Sequence, residues 1–88
     1  MKLMMAILQK RDCETVMQAL VEADFRVTLI ASTGGFLRQG NETLLIGTDE
    51  ERIDMAFEIL RANTEETASH EQARATIFVL NVAQFEQL

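Results

Sequence analysis

The side chains able to do chemistry in this chain are few. One histidine, His70, and one cysteine, Cys13, are the whole supply of the groups that most often serve as base and nucleophile near neutral pH. His70 stands in the polar run "TEETASHEQAR", residues 64–74, where a solvated loop histidine is expected. Cys13 falls on the apolar stripe of an amphipathic run and reads as a buried structural thiol rather than a nucleophile. The acidic groups Asp49-Glu50-Glu51 and Glu65-Glu66 have no His or Cys at zinc-ligand spacing and form no EF-hand pattern. They read as a helix start and a solvated loop. No catalytic residue, metal site or cofactor is therefore expected, and the chain is not read as an enzyme.

One stretch is different. "TGGFLRQGN", residues 33–41, holds Gly34, Gly35 and Gly40 around Phe36-Leu37-Arg38. It has no Gly-Lys-Ser/Thr, so it is neither a P-loop nor a dinucleotide fingerprint. Apolar runs flank it, which makes it a hairpin connection, and glycine there usually supplies only positive φ. The apolar pair Phe36-Leu37 is left unexplained by a turn alone. It must pack on a neighbouring subunit, a ligand, or both. Phenylalanine offers a face for stacking on a nucleobase. Arg26 and Arg38 flank the segment with charge for a phosphate. Asn41 has the paired donor and acceptor that match an adenine edge.

The elements that position these residues follow from periodicity. Residues 2–9 are almost continuously apolar and bounded by charge, which predicts a strand buried on both faces. Cys13, Val16, Met17 and Leu20 fall at helical spacing, predicting a helix over about 12–23 with Asp12 as its cap. "FRVTLIAS", 25–32, and "ETLLIGT", 42–48, are β-rich runs either side of the glycine segment. Thr48 with Glu51 three positions on reads as a capping box. The helix it opens carries Ile53, Ala56, Phe57 and Leu60 as its stripe and ends near Ala62, with Asn63 as the stop. Residues 64–74 read as a loop, and "ATIFVLNV", 75–82, as a last strand. The tail "AQFEQL" is expected to continue along the sheet edge or to turn once. The order βαββαβ predicts an α+β fold: a ferredoxin-like sandwich with two helices on one face of an antiparallel sheet. The other face is then bare. Since the first strand is apolar at nearly every position, self-association across that face is the simplest way to cover it.

Composition agrees with that reading. Eighty-eight residues allow one domain, 1–88, with a thin core that no disulfide supports, which again favours oligomerisation. A net charge of −6 argues against DNA or RNA as a partner. It leaves room for a small anion held by local N–H groups and one or two arginines. "MKLMMAIL" faintly resembles a signal peptide. It runs into Gln9-Lys10-Arg11-Asp12 without a small-residue cleavage site, so a buried strand is expected. No apolar stretch is long enough to span a bilayer, and one unpaired cysteine fits a reducing compartment, so the expectation is a cytoplasmic protein without a membrane partner.

With these residues in view, "DFRVTLIASTGGFLRQGNETLLIG", the opening "MKLMMAILQ" and the closing "ATIFVLNVAQFEQL" together resemble the PII-like cyclic-di-AMP receptor family, small bacterial signal-transduction proteins. Thr33-Gly34-Gly35-Phe36-Leu37-Arg38 with Gly40-Asn41 is the most specific part. The resemblance implies a homotrimer of ferredoxin-like subunits with inward-facing sheets. It also implies one cyclic-di-AMP in each cleft between subunits, and no catalysis. Carried over by position, Arg26 and Thr28 would contact the ribose-phosphate ring. Gly35, Phe36 and Leu37 would shape the adenine pocket, Asn41 would bond an adenine edge, and Gly47 would admit the ligand to the backbone. Phe78 and Gln87 would line the cleft from the same or the neighbouring subunit. A protein partner, unidentified, would receive the signal. The sequence departs from the family pattern at Asp24, where the family usually has Asn, and at Ala73-Arg74, where it often has Gly-Gly. Its loop 64–74 is also shorter. These departures motivate an alternative expectation, a PII-like trimeric interaction module whose nucleotide ligand is lost or altered.

Overall fold

The structure, a computed structural model, describes residues 1–30, 40–65 and 74–88. Its elements run β1 (Lys2–Gln9), α1 (Lys10–Glu22), β2 (Arg26–Ile30), β3 (Asn41–Thr48), a 3₁₀ turn (Glu50–Arg52), α2 (Ile53–Ala62) and β4 (Ala75–Asn81). The four strands form one sheet in the order β2-β3-β1-β4, antiparallel at every junction. This is the ferredoxin-like α+β sandwich expected from the sequence, with the long apolar strands β1 and β3 in the middle.

Alternation along the strands divides the sheet. Met4, Ala6 and Leu8 of β1 and Leu44 and Ile46 of β3 point to the helices and are buried to 1% exposure or less. They meet Cys13, Val16 and Leu20 of α1 and Ala56 and Leu60 of α2, with Ile53 and Phe57 packed against that cluster. Both stripes read from the sequence are thus the core faces of their helices.

The helix starts differ from expectation. α1 begins at Lys10, straight out of β1, because the Lys10 amide donates to the Gly40 carbonyl at 2.7 Å. That bond satisfies one of the amides a first turn leaves open, and Asp12 is not the cap. Asp12 lies inside the first turn, buried, where its carboxylate accepts from the Glu65 amide at 3.4 Å. The Thr48–Glu51 capping box does not form either. Thr48 stays in β3 opposite Lys2, and its hydroxyl donates to the Asp49 carbonyl at 3.1 Å. A 3₁₀ turn with Asp49 at its cap position intervenes before α2. At the other end Asn63 does stop α2: its backbone and side-chain amides both donate to the Ile59 carbonyl.

The end of α1 was not anticipated. The Phe25 amide donates to Leu20 O and the Asp24 amide to Val21 O, both at 3.0 Å. This is a Schellman closure, with Asp24 left-handed at φ 66° and buried Phe25 packed with Leu20 in the core. β2 accordingly starts at Arg26, not at residue 25. β3 gains Asn41, and β4 ends at Asn81. The tail is neither strand nor helical turn; its one tie at the root is the Val82 amide on the Met1 carbonyl at 3.2 Å. Of the loop 64–74, Thr64 is tucked in, its hydroxyl on the Leu60 carbonyl at 2.9 Å, and residues 66–73 lie outside the described residues, His70 among them.

A left-handed position accepts Gly, Asn or Asp and penalises a β-branched side chain. Asp24→Gly should leave urea stability within about 0.5 kcal/mol. Asp24→Val should lower it by about 1–2 kcal/mol. Equal stabilities for the two variants would contradict the closure described.

Candidate functional site

The face away from the helices is built by the other half of each strand. β1 presents Leu3, Met5, Ile7 and Gln9; β3 presents Asn41, Thr43, Leu45 and Gly47. β2 adds Arg26, Thr28 and Ile30, and β4 adds Thr76, Phe78 and Leu80. No helix covers it. Phe78 is 51% exposed and Leu80 45%, large values for strand residues of this kind. Among the described residues, Arg26 is the only charged side chain the four strands place here. Every strand carboxylate is on the helix side or absent. Among the described strand residues, an acidic chain has therefore kept one face free of negative charge, with a single positive charge at its edge.

Register sets the geometry. Arg26 is opposite Gly47, which is opposite Leu3, which is opposite Leu80. The next row on this face is Thr28, Leu45, Met5 and Phe78. Gly47 thus makes a dip between Arg26 and Leu3. Among the described residues, a Cβ there would meet the Met1 side-chain terminus at 3.5 Å, an ordinary contact. Asn41 starts β3 on the same face, six residues from Gly47 and so about 20 Å along the strand.

Five of the residues singled out from the sequence, Arg26, Thr28, Asn41, Gly47 and Phe78, share this one face. Gln87 does not; it is exposed in the irregular tail. Gly35, Phe36 and Leu37, with Arg38, lie outside the described residues. Arg74, one of the departures from the family pattern, is on the other side of the sheet. It lines a cavity of about 270 Å³ between α2 and β4 with Phe57, Leu60, Arg61, Thr64 and Ile77.

Cys13 is 3% exposed. Burial, with a hydrogen bond to Glu42 and that carboxylate's charge, pushes its thiol from 9.0 to about 12. Glu42 is on the helix side, so this pair is separate from the open face. The thiolate fraction near neutral pH is smaller than that of an ordinary cysteine by on the order of a thousandfold. Cys13 is a structural thiol, as the sequence suggested.

A family model described as "Cyclic-di-AMP receptor" matches residues 1–72, ending before β4. Among solved structures, the chain is similar to one described as the crystal structure of a functionally unknown protein from Pediococcus pentosaceus ATCC 25745. The two are 35% identical over 99% of this chain and 96% of that one, with a TM-score of 0.77.

Native protein at pH 8 should react with a thiol reagent only slowly and become reactive on adding denaturant. Because the folded thiol titrates near 12 and the unfolded one near 9.0, the unfolded state loses its proton first. Stability should be unaffected by this group below pH 9 and decline between about 9 and 12. A Cys13→Ala variant that shows the same alkaline decline would assign it elsewhere.

Proposed function

We propose that this chain, which belongs to the cyclic-di-AMP receptor family, is a non-enzymatic sensor that holds cyclic-di-AMP in clefts between the subunits of a homotrimer. Residues 1–88 act as one PII-like domain in this reading, in the bacterial cytoplasm, and the protein that receives the signal is not identified. Among the described residues no helix is long and apolar enough to cross a membrane.

One observation carries the reading: the open sheet face, which among the described residues carries no strand charge except Arg26, on a chain of net charge −6. Its apolar rows favour burial against other copies of themselves, at roughly 1.5–3 kcal/mol for each large side chain fully covered. Its bare edge favours a phosphodiester, because Arg26 can donate charge-assisted bonds there and no strand carboxylate opposes it. Phe36 and Leu37 wall the adenine pocket, with Phe36 stacking on the base. Gly35 shapes the same pocket, Gly47 lets the ligand approach the backbone, Thr28 contacts the ribose-phosphate ring beside Arg26, and Phe78 and Gln87 line the cleft from the same or the neighbouring subunit.

Asp24 does not stand against this reading. Its side-chain type suits a left-handed main chain, the conformation in which Asn and Asp are both favoured. That gives the Asn-to-Asp departure a backbone reason unconnected with the phosphodiester.

Calorimetric titration with cyclic-di-AMP, with ATP and cyclic-di-GMP as controls, tests the ligand. Binding of cyclic-di-AMP alone, near one per subunit, is expected, and Arg26→Ala and Phe36→Ala should each weaken it by about tenfold or more, ~1.4 kcal/mol. No heat from any of the three would replace this reading with the trimeric interaction module. Separately, Leu80→Asp should put a charge into the subunit junction and reduce the molar mass by light scattering from trimer to monomer. An unchanged trimer would place the junction elsewhere.

A further inference from the structure

Arg52 stands outside the open face, yet its side chain is held at several points. One terminal nitrogen donates to the Ala23 carbonyl, and the other donates to the Asp24 carbonyl at 3.3 Å. Its guanidinium carbon lies 4.1 Å from the centre of the Phe25 ring. The first of those nitrogens also approaches the Met55 sulfur at 3.8 Å. Three consecutive residues, 23 to 25, are thus held by one side chain from the turn that follows β3.

Those three residues are the corner between α1 and β2. The Schellman closure ties its amides and leaves the Ala23 and Asp24 carbonyls open. Arg52 takes both. It also brings a cation to a helix C-terminus whose own last turn has no basic residue. The next residue is Arg26, and its partner across the sheet is Gly47, five positions before Arg52. β2 is an edge strand of five residues, paired on one side only. Its start follows this corner directly, with Arg26 one residue beyond Phe25.

We propose that Arg52 is a positioning residue for the ligand cleft: by clamping the Ala23-Asp24-Phe25 corner it holds Arg26 in the orientation that meets the phosphodiester. This rests on the reading of the cleft given above. A lysine is not equivalent: its compact ammonium lacks the planar fork with which Arg52 reaches both carbonyls while its guanidinium carbon stays 4.1 Å from the Phe25 ring centre.

The test is a double-mutant cycle read by calorimetric titration with cyclic-di-AMP, using Arg52→Lys and Arg52→Gln alone and in an Arg26→Lys background. Lysine at 26 keeps the charge, so that binding stays measurable, and depends less on the corner because it is a flexible point charge. Both Arg52 variants should weaken binding about tenfold with Arg26 present and less than about twofold without it. Amide exchange at Arg26 and Val27 should quicken in both, while the thermal transition stays cooperative. Wild-type binding that is unchanged by either variant, or an equal loss in both backgrounds, would overturn the assignment. Failure of the wild-type protein to bind is a different result, seen before any variant is made. It would remove the cleft itself, and Arg52 as its positioning residue with it.

Discussion

The molecule is organised by β1 being apolar on both faces. An interior strand of this kind must have something on each side. α1 and α2 supply one cover, and their stripes fit Met4, Ala6 and Leu8. Nothing within the described chain supplies the other, although Leu3, Met5 and Ile7 need it as much. Among the described residues, two short helices cover one face of a four-strand sheet and leave the other open. Arg26, Thr28, Asn41 and Gly47 stand on that open face, on β2 and the two ends of β3. The open face and the candidate ligand residues on it are in that sense one result of a shortage of helix.

Much of this was legible in the sequence because it is periodic. Strand and helix stripes repeat, and the alternation in "RVTLI" and "NETLLIG" assigns Arg26, Thr28, Asn41 and Gly47 to one side once each strand is recognised. Register was not legible: that Arg26 faces Gly47 depends on where the β2–β3 pairing begins, which residue type alone does not state. The helix starts were misread for a related reason. Asp12 and Thr48 have the side chains of caps, but the Gly40 carbonyl already serves the first amide of α1, and the Thr48 hydroxyl bonds the Asp49 carbonyl beside it. Main-chain partners leave no residue-type signature.

Arg52 was overlooked because the acidic run Asp49-Glu50-Glu51 beside it drew attention as a helix start. Its contacts lie 28 and 29 positions back in the chain, and no local pattern reports a bond at that separation. Asp24 shows the opposite case. Its residue type carried a signal, but for main-chain conformation rather than for the ligand, and the two are separable only once φ is known.

The bond from the Lys10 amide to the Gly40 carbonyl has a further effect. It fastens the glycine segment where that segment rejoins the sheet, to an element that itself emerges from the central strand. Chain freedom near that root is thus already removed by folding, before any ligand arrives. Ordering Gly40 would then cost a guest molecule little further configurational entropy.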